Sequence, residues 1–198
     1  MKTLIKNGTV ITAEITRKAD ILVEDEFIRR IDEYIEDDEA TIVDASGLLV
    51  LPGGVDPHVH LELPMAGTIS ADDHYTGGKA AAFGGTTTMI DFVSQEPVIL
   101  AENIARHRAM ADPKASIDYS LHMNITHFDD QVAEELLDLP QMGITSMKVF
   151  TAYNGRLRLD DGSIFKVMRI GGKNNLLTMV HAENGDVIDI LVAEALAA

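Results

Sequence analysis

Cysteine is absent from all 198 residues, so neither a disulfide framework nor thiolate ligation of a metal is open to this chain. Any ion has to sit on imidazole, carboxylate or a modified lysine. Positive charge is scarce: 16 Lys and Arg stand against 32 Asp and Glu, a net charge of -16. That balance repels phosphate backbones and anionic membrane surfaces at long range, which excludes nucleic acid and membrane as expected partners. Long apolar runs are missing too. MKTLIKNGTVITAE alternates apolar and polar residues instead of building the core of a signal peptide, and no stretch approaches the ~18 apolar residues of a membrane span. With the lack of cysteine, this leads us to expect a cytoplasmic protein. What is present is 46% hydrophobic residues, enough to bury a core in one or two domains.

Two patterns divide the chain. Residues 1–50 read as short strands with period-2 alternation, a small β part with one solvated face. Within it, LIKNGTVIT carries Asn7-Gly8 between apolar positions, the commonest signal for a type I′ hairpin, and DILVEDEFIRRID turns at Asp25-Glu26 without the glycine such turns favour. Residues 51–198 alternate strand-like apolar runs with helical stretches, the signature of a parallel α/β sheet. Strands beginning near Val55, Thr87, Ile117, Ile144 and Leu177 are spaced 27 to 33 residues apart, one βα unit each. That beat predicts a (β/α) barrel of the TIM type, with chemistry at the C-terminal strand ends. The paired glycines of IGGKNNLL weaken the helix before the fifth strand.

His58 and His60 lie in GGVDPHVHLEL, one residue apart. In an extended strand, i and i+2 share a face, so both rings converge on one point, a chelating arrangement. Lys148 sits in the apolar run ITSMKVFTA, where an unpaired ammonium is costly to bury; it either snorkels from an edge or becomes a neutral amine able to take up carbon dioxide as a carbamate. His181 ends the fifth run in LLTMVHAENGD and is as well suited to a core histidine as to a ligand. All four fall near C-terminal strand ends.

GGVDPHVHLELP, SADDHYTGGKAAAFGGTTTMIDFV, GITSMKVFTAYNG and MVHAENGD, in this order, closely resemble the dihydropyrimidinase and D-hydantoinase group of the amidohydrolase superfamily. The resemblance implies a metal-dependent hydrolase barrel with a β-sandwich built from both chain ends, so that residues 1–50 form the N-terminal sandwich part and 51–198 the first part of the barrel. It further implies hydrolysis of the cyclic amide of a dihydropyrimidine or 5-substituted hydantoin to an N-carbamoyl amino acid, usually in a homotetramer. Carried over by position, His58 and His60 bind one divalent ion, carbamylated Lys148 bridges two, most often zinc, and His181 binds the second. Tyr153 donates a hydrogen bond to the oxyanion. Leu63, Met65 and the loop through Ser70 line the substrate pocket. Among the other conspicuous residues, Asp56 orients the HVH turn, Asp91 belongs to the barrel interior, and His74, His107, His122 and His127 are structural or exposed.

The resemblance has a limit. An eight-unit barrel runs to about 250 residues, whereas residues 51–198 hold five such units. A later metal-binding histidine, a late aspartate serving as ligand and base, and the closing sandwich strands have no counterpart. The expectation is therefore an incomplete barrel: the N-terminal part of a longer enzyme or a shortened homologue completed by association. The alternative is a non-catalytic scaffold or inactive fragment of the same fold.

Overall fold

The computed structural model describes residues 1–65 and 67–198, which divide into two compact units, Met1–Gly53 and Gly54–Ala198. The first is built on β1 (Lys2–Ile11), β2 (Thr16–Glu24), β3 (Phe27–Asp32), β4 (Thr41–Asp44) and β5 (Leu49–Val50). They form one mixed sheet in the order β3-β2-β1-β4, with β5 also on β1; β2 runs antiparallel to β1, while β4 and β5 run parallel to it. Val10, Ala19 and Ile21 make its buried apolar cluster. Asp20 is buried beside them and accepts N–H bonds from Asn7 and Ile35, with the Lys6 ammonium at 3.0 Å.

The Asn7-Gly8 hairpin does not form. β1 runs straight through the pair, and a register shift between Ile5 and Gly8 marks a bulge in which Asn7 takes φ 66. A left-handed residue followed by glycine serves a bulge as well as a turn. Here the bulge wins because Asn7 N–H reaches Asp20 at 2.9 Å, and because β5 lies so close that a Cβ on Gly8 would come within 2.5 Å of Val50. β2 and β3 join at Asp25-Glu26, with Asp25 (φ 54) in the conformation glycine usually supplies.

The second unit is α/β. Its sheet consists of β6 (Gly54–Val59), β9 (Thr86–Val93), β10 (Asp118–Asn124), β11 (Ser146–Phe150) and β12 (Leu177–His181), all parallel, in the order β12-β11-β10-β9-β6. Each strand pairs with its predecessor in this sheet, and β6 and β12 are its edges. A small antiparallel pair, β7 (Pro64–Met65) and β8 (Thr68–Ile69), follows β6. Ala66, inside the loop expected to line a pocket, lies outside the described residues.

Helices α1 (His74–Phe83), α2 (Leu100–Ala111), α3 (Asp130–Glu135), α4 (Asp161–Lys173) and α5 (Gly185–Ala197) connect or follow the strands. Several start on side-chain caps that occupy the free N–H groups of a first turn. Asp73 accepts from Tyr75 and Thr76 while the Thr76 side chain returns to the Asp73 backbone; Asp129, Asp160 and Asn184 cap α3, α4 and α5. The Gly171-Gly172 pair does not stop α4, which continues to Lys173. A Cβ at Gly171 would meet the Leu176 carbonyl oxygen at 2.8 Å and Met147 at 2.9 Å, so close passage over β11 and β12 requires glycine there. Leu121, Met123, Met147 and Val149 pack with Leu100, Ile104 and Val167 of the helices into the main core. No helix among the described residues is long and apolar enough to cross a membrane.

Candidate metal and catalytic site

Strand alternation decides which side chains leave the helix-packed core. In β11, Met147 and Val149 belong to that core, so Lys148 between them points to the other face. In β9 and β10 the same face carries Phe92 and His122, whose rings lie 4.8 Å apart. Onto this face β6 brings His58, and the residue after β6 brings His60.

The two imidazoles sit edge to face with ring centres 5.2 Å apart, each about 5 Å from the Phe92 ring: 4.8 Å for His58 and 4.9 Å for His60. Lys148 Nζ lies 3.2 Å from His58 Nε2 and 4.5 Å from the centre of Phe92. Only 7% of Lys148 is exposed, and among the described residues no carboxylate pairs with it. Burial accordingly holds its pKa below the ordinary lysine value. Asn124, its register partner on β10, has a buried side-chain oxygen with no hydrogen-bond partner.

His58 and His60 retain open solvent on their outer sides, yet the crowding of their inner sides by Phe92 and Lys148 leaves both below the usual imidazole pKa. For each, desolvation is the largest cause; Lys148 and, for His60, the ring of His58 add to it. Two imidazole rings, a buried lysine amine and an unsatisfied amide oxygen form a donor set that suits divalent cations.

His181 ends β12 opposite Phe150 in register, with the Tyr153 ring 5.0 Å away and its Nε2 on the carboxylate of Glu183. The structure thus gathers His58, His60 and Lys148 closely around Phe92 and seats His181 with Tyr153 along the same strand ends. Tyr153 is half open to solvent and held at φ 64, a conformation that strains a bulky residue. Its loop is anchored by Asn154 to Asp186 at 2.9 Å and Asp189 at 2.8 Å, and by Arg158 to Asp186 at 2.6 Å. Leu63 stands apart, in a cleft of about 220 Å³ that it shares with Phe92, His107 and Arg106. Ser70 pins it on both sides, its hydroxyl accepting from Leu63 N–H and its own N–H donating to the Leu63 carbonyl.

Supporting residues complete the geometry. Asp56 accepts from His58 N–H at 3.1 Å, which orients the turn. His122 donates from Nε2 to the Pro57 carbonyl at 2.9 Å while its Nδ1 meets the Ser146 hydroxyl, tying β6 across to β10 and β11. Phe92, His122 and Ser146 were not singled out as site-forming from the sequence; alternation along TTTMIDFV, with Phe92 opposite Asp91, is the signal that points to the first. Asp91 itself is a correction: it does not face the same side as Lys148. Because Phe92 takes that face, Asp91 points back among the helices, to His74 of α1 and His107 of α2.

No protein-family model matches the chain. It is 44% identical over 198 residues to a D-hydantoinase of Geobacillus stearothermophilus, covering 99% of this chain and 42% of that protein. It is 40% identical over 192 residues to a dihydropyrimidinase of Rattus norvegicus, covering 93% of this chain and 37% of that protein. The crystal structure of dihydropyrimidinase from Brevibacillus agri superposes with a TM-score of 0.97 at 44% identity, over 100% of this chain and 43% of the other. The chain therefore spans about two fifths of the length of these relatives.

Proposed function

We propose that this chain, which matches the N-terminal portion of the D-hydantoinase and dihydropyrimidinase group over its whole length, supplies the first half of a metal-dependent cyclic amidohydrolase site. The observation that carries the reading is Lys148: a buried lysine without a carboxylate, 3.2 Å from a ring of the His58 and His60 pair. As a neutral amine, Lys148 forms an N–C bond to carbon dioxide and releases a proton, giving a carbamate anion. That carbamate, His58, His60 and His181 would hold two divalent ions, zinc being well matched to imidazole and oxygen donors. Such ions lower the pKa of a water and polarise a carbonyl oxygen.

The chain's own residues do the remaining work. Phe92 walls off the inner side of the histidines from water. Tyr153 directs its hydroxyl toward the substrate carbonyl and donates to the oxygen as negative charge builds there. Leu63 contributes apolar wall to the ring substituent's pocket. Hydrolysis breaks the ring C–N bond, leaves hydroxyl on the acyl carbon and a proton on nitrogen, and yields an N-carbamoyl amino acid from a dihydropyrimidine or hydantoin.

The five parallel strands are read as the first part of a (β/α) barrel, and the sheet of Met1–Gly53 as one layer of a β-sandwich. The free edges of β6 and β12, with exposed Val55 and Leu177 beside them, support completion by further strands, in a homo-oligomer or a longer polypeptide. Lys148→Ala tests the reading. Metal analysis of protein prepared with zinc and bicarbonate is expected to show more ions bound to the parent chain than to the variant; equal metal content in both would refute it.

A further inference from the structure

Outside that site, His74, Asp91 and His107 each offer one ligand atom, with all three atoms within 4.8 Å of one another. We propose that they form a second, separate site for a divalent transition cation, clamping α1 and α2 onto β9. The separations fit. His74 Nε2 and His107 Nε2 lie 3.5 and 3.1 Å from Asp91 Oδ2, and ligand atoms about 2.1 Å from a tetrahedral ion stand about 3.4 Å apart.

The independent sign is an orphaned atom. His74 is fully buried, and its Nε2 has no hydrogen-bond partner. Its other nitrogen, Nδ1, faces Glu62 Oε2 at 3.3 Å, and Glu62 is held in turn by Lys114 at 2.5 Å. With Nδ1–H directed at that carboxylate, the Nε2 lone pair points at the Asp91 carboxylate, an arrangement that repels unless a positive charge stands between them. Carboxylate, imidazole and cation in series is the usual outer support of a metal-bound histidine. Asp91 has its other oxygen occupied by the Phe92 N–H at 2.7 Å, leaving Oδ2 as the atom presented to both rings. His107 and Glu62 also line the 220 Å³ cleft, which offers a way in and room for a water as fourth ligand.

A proton is the competing occupant: an imidazolium at His74 would bridge Glu62 and Asp91. The experiment separates the two. In the full chain carrying His58→Ala, His60→Ala and His181→Ala, stripped with chelator, titration with Co(II) is expected to show one equivalent bound, with the strong visible absorption of a four-coordinate site. Adding His107→Gln, at the rim of the cluster, is expected to abolish that absorption. Glu62→Gln is expected to weaken binding about 10- to 100-fold. No Co(II) uptake by the triple variant, unchanged uptake after His107→Gln, or an NMR signature of doubly protonated His74 under metal saturation would each overturn the proposal. The triple variant lacks three of the donors proposed above, so the result does not depend on the hydrolase reading.

Discussion

Tyr153 is the residue through which the proposed chemistry is most directly tested. Its backbone is held at φ 64 in a loop tied through Asn154 to Asp186 and Asp189, which sets where the ring starts from. Tyr153→Phe keeps the ring against His181 and removes only the donor. In the complete enzyme it should lower kcat by about 100-fold, the cost of one oxyanion donor, with little change in metal content; an unaltered kcat would remove Tyr153 from the mechanism. Asp20 makes a different residue-scale prediction. Burial pushes its pKa up, but the N–H bonds from Asn7 and Ile35 and the Lys6 ammonium outweigh that and leave it below the ordinary carboxylate value. A depressed folded pKa gives stability that is present above the unfolded value of about 3.9 and lost as pH falls through the folded one. Asp20→Asn should therefore cost roughly 2–3 kcal/mol at neutral pH, and urea midpoints should converge with the parent's in strong acid. The convergence of His58 and His60 was legible in the sequence because two residues one apart on a strand must share a face, and Lys148 because a charge stands out in an apolar run. The grouping of His74, Asp91 and His107 was not, since it depends on which face of β9 turns toward α1 and α2.

At the level of elements, five apolar runs of the sequence correspond to the five strands of the parallel sheet, and each interval between them supplies a helix. The Asn7-Gly8 signal misled because glycine permits several conformations, and tertiary contacts choose among them. At Asn7-Gly8 the choice is a bulge, imposed by Asp20 and Val50. At Gly171 it is an uninterrupted helix passing against a carbonyl, so the residue that lowers helix propensity also allows α4 to dock. Gly171→Ala should then destabilise the second unit by about 1–3 kcal/mol despite alanine's better propensity. Thermal unfolding followed by circular dichroism would show it, and a rise in Tm would mean the helix can shift to make room.

Across the whole molecule, charge and topology act in different directions. A net charge of -16 keeps copies apart at long range, while the sheet edges and the exposed Ile190, Leu191 and Leu196 of α5 invite association at short range. The strand order has a temporal side as well. Because β9 joins β6, β10 joins β9, β11 joins β10 and β12 joins β11, every newly made strand finds its partner already waiting at the growing margin. Such a sheet can be laid down vectorially, from the N-terminal side, while a ribosome is still at work. Pulse-labelled hydrogen exchange during refolding should protect β9 and β10 before β11 and β12, and simultaneous protection would count against it. Lys148 and His58, 90 residues apart, then meet only when β11 arrives. Until then the lysine is solvated as an ordinary cation, and the burial that lowers its pKa begins at that docking, so its environment has a birth date later than the first folded strands.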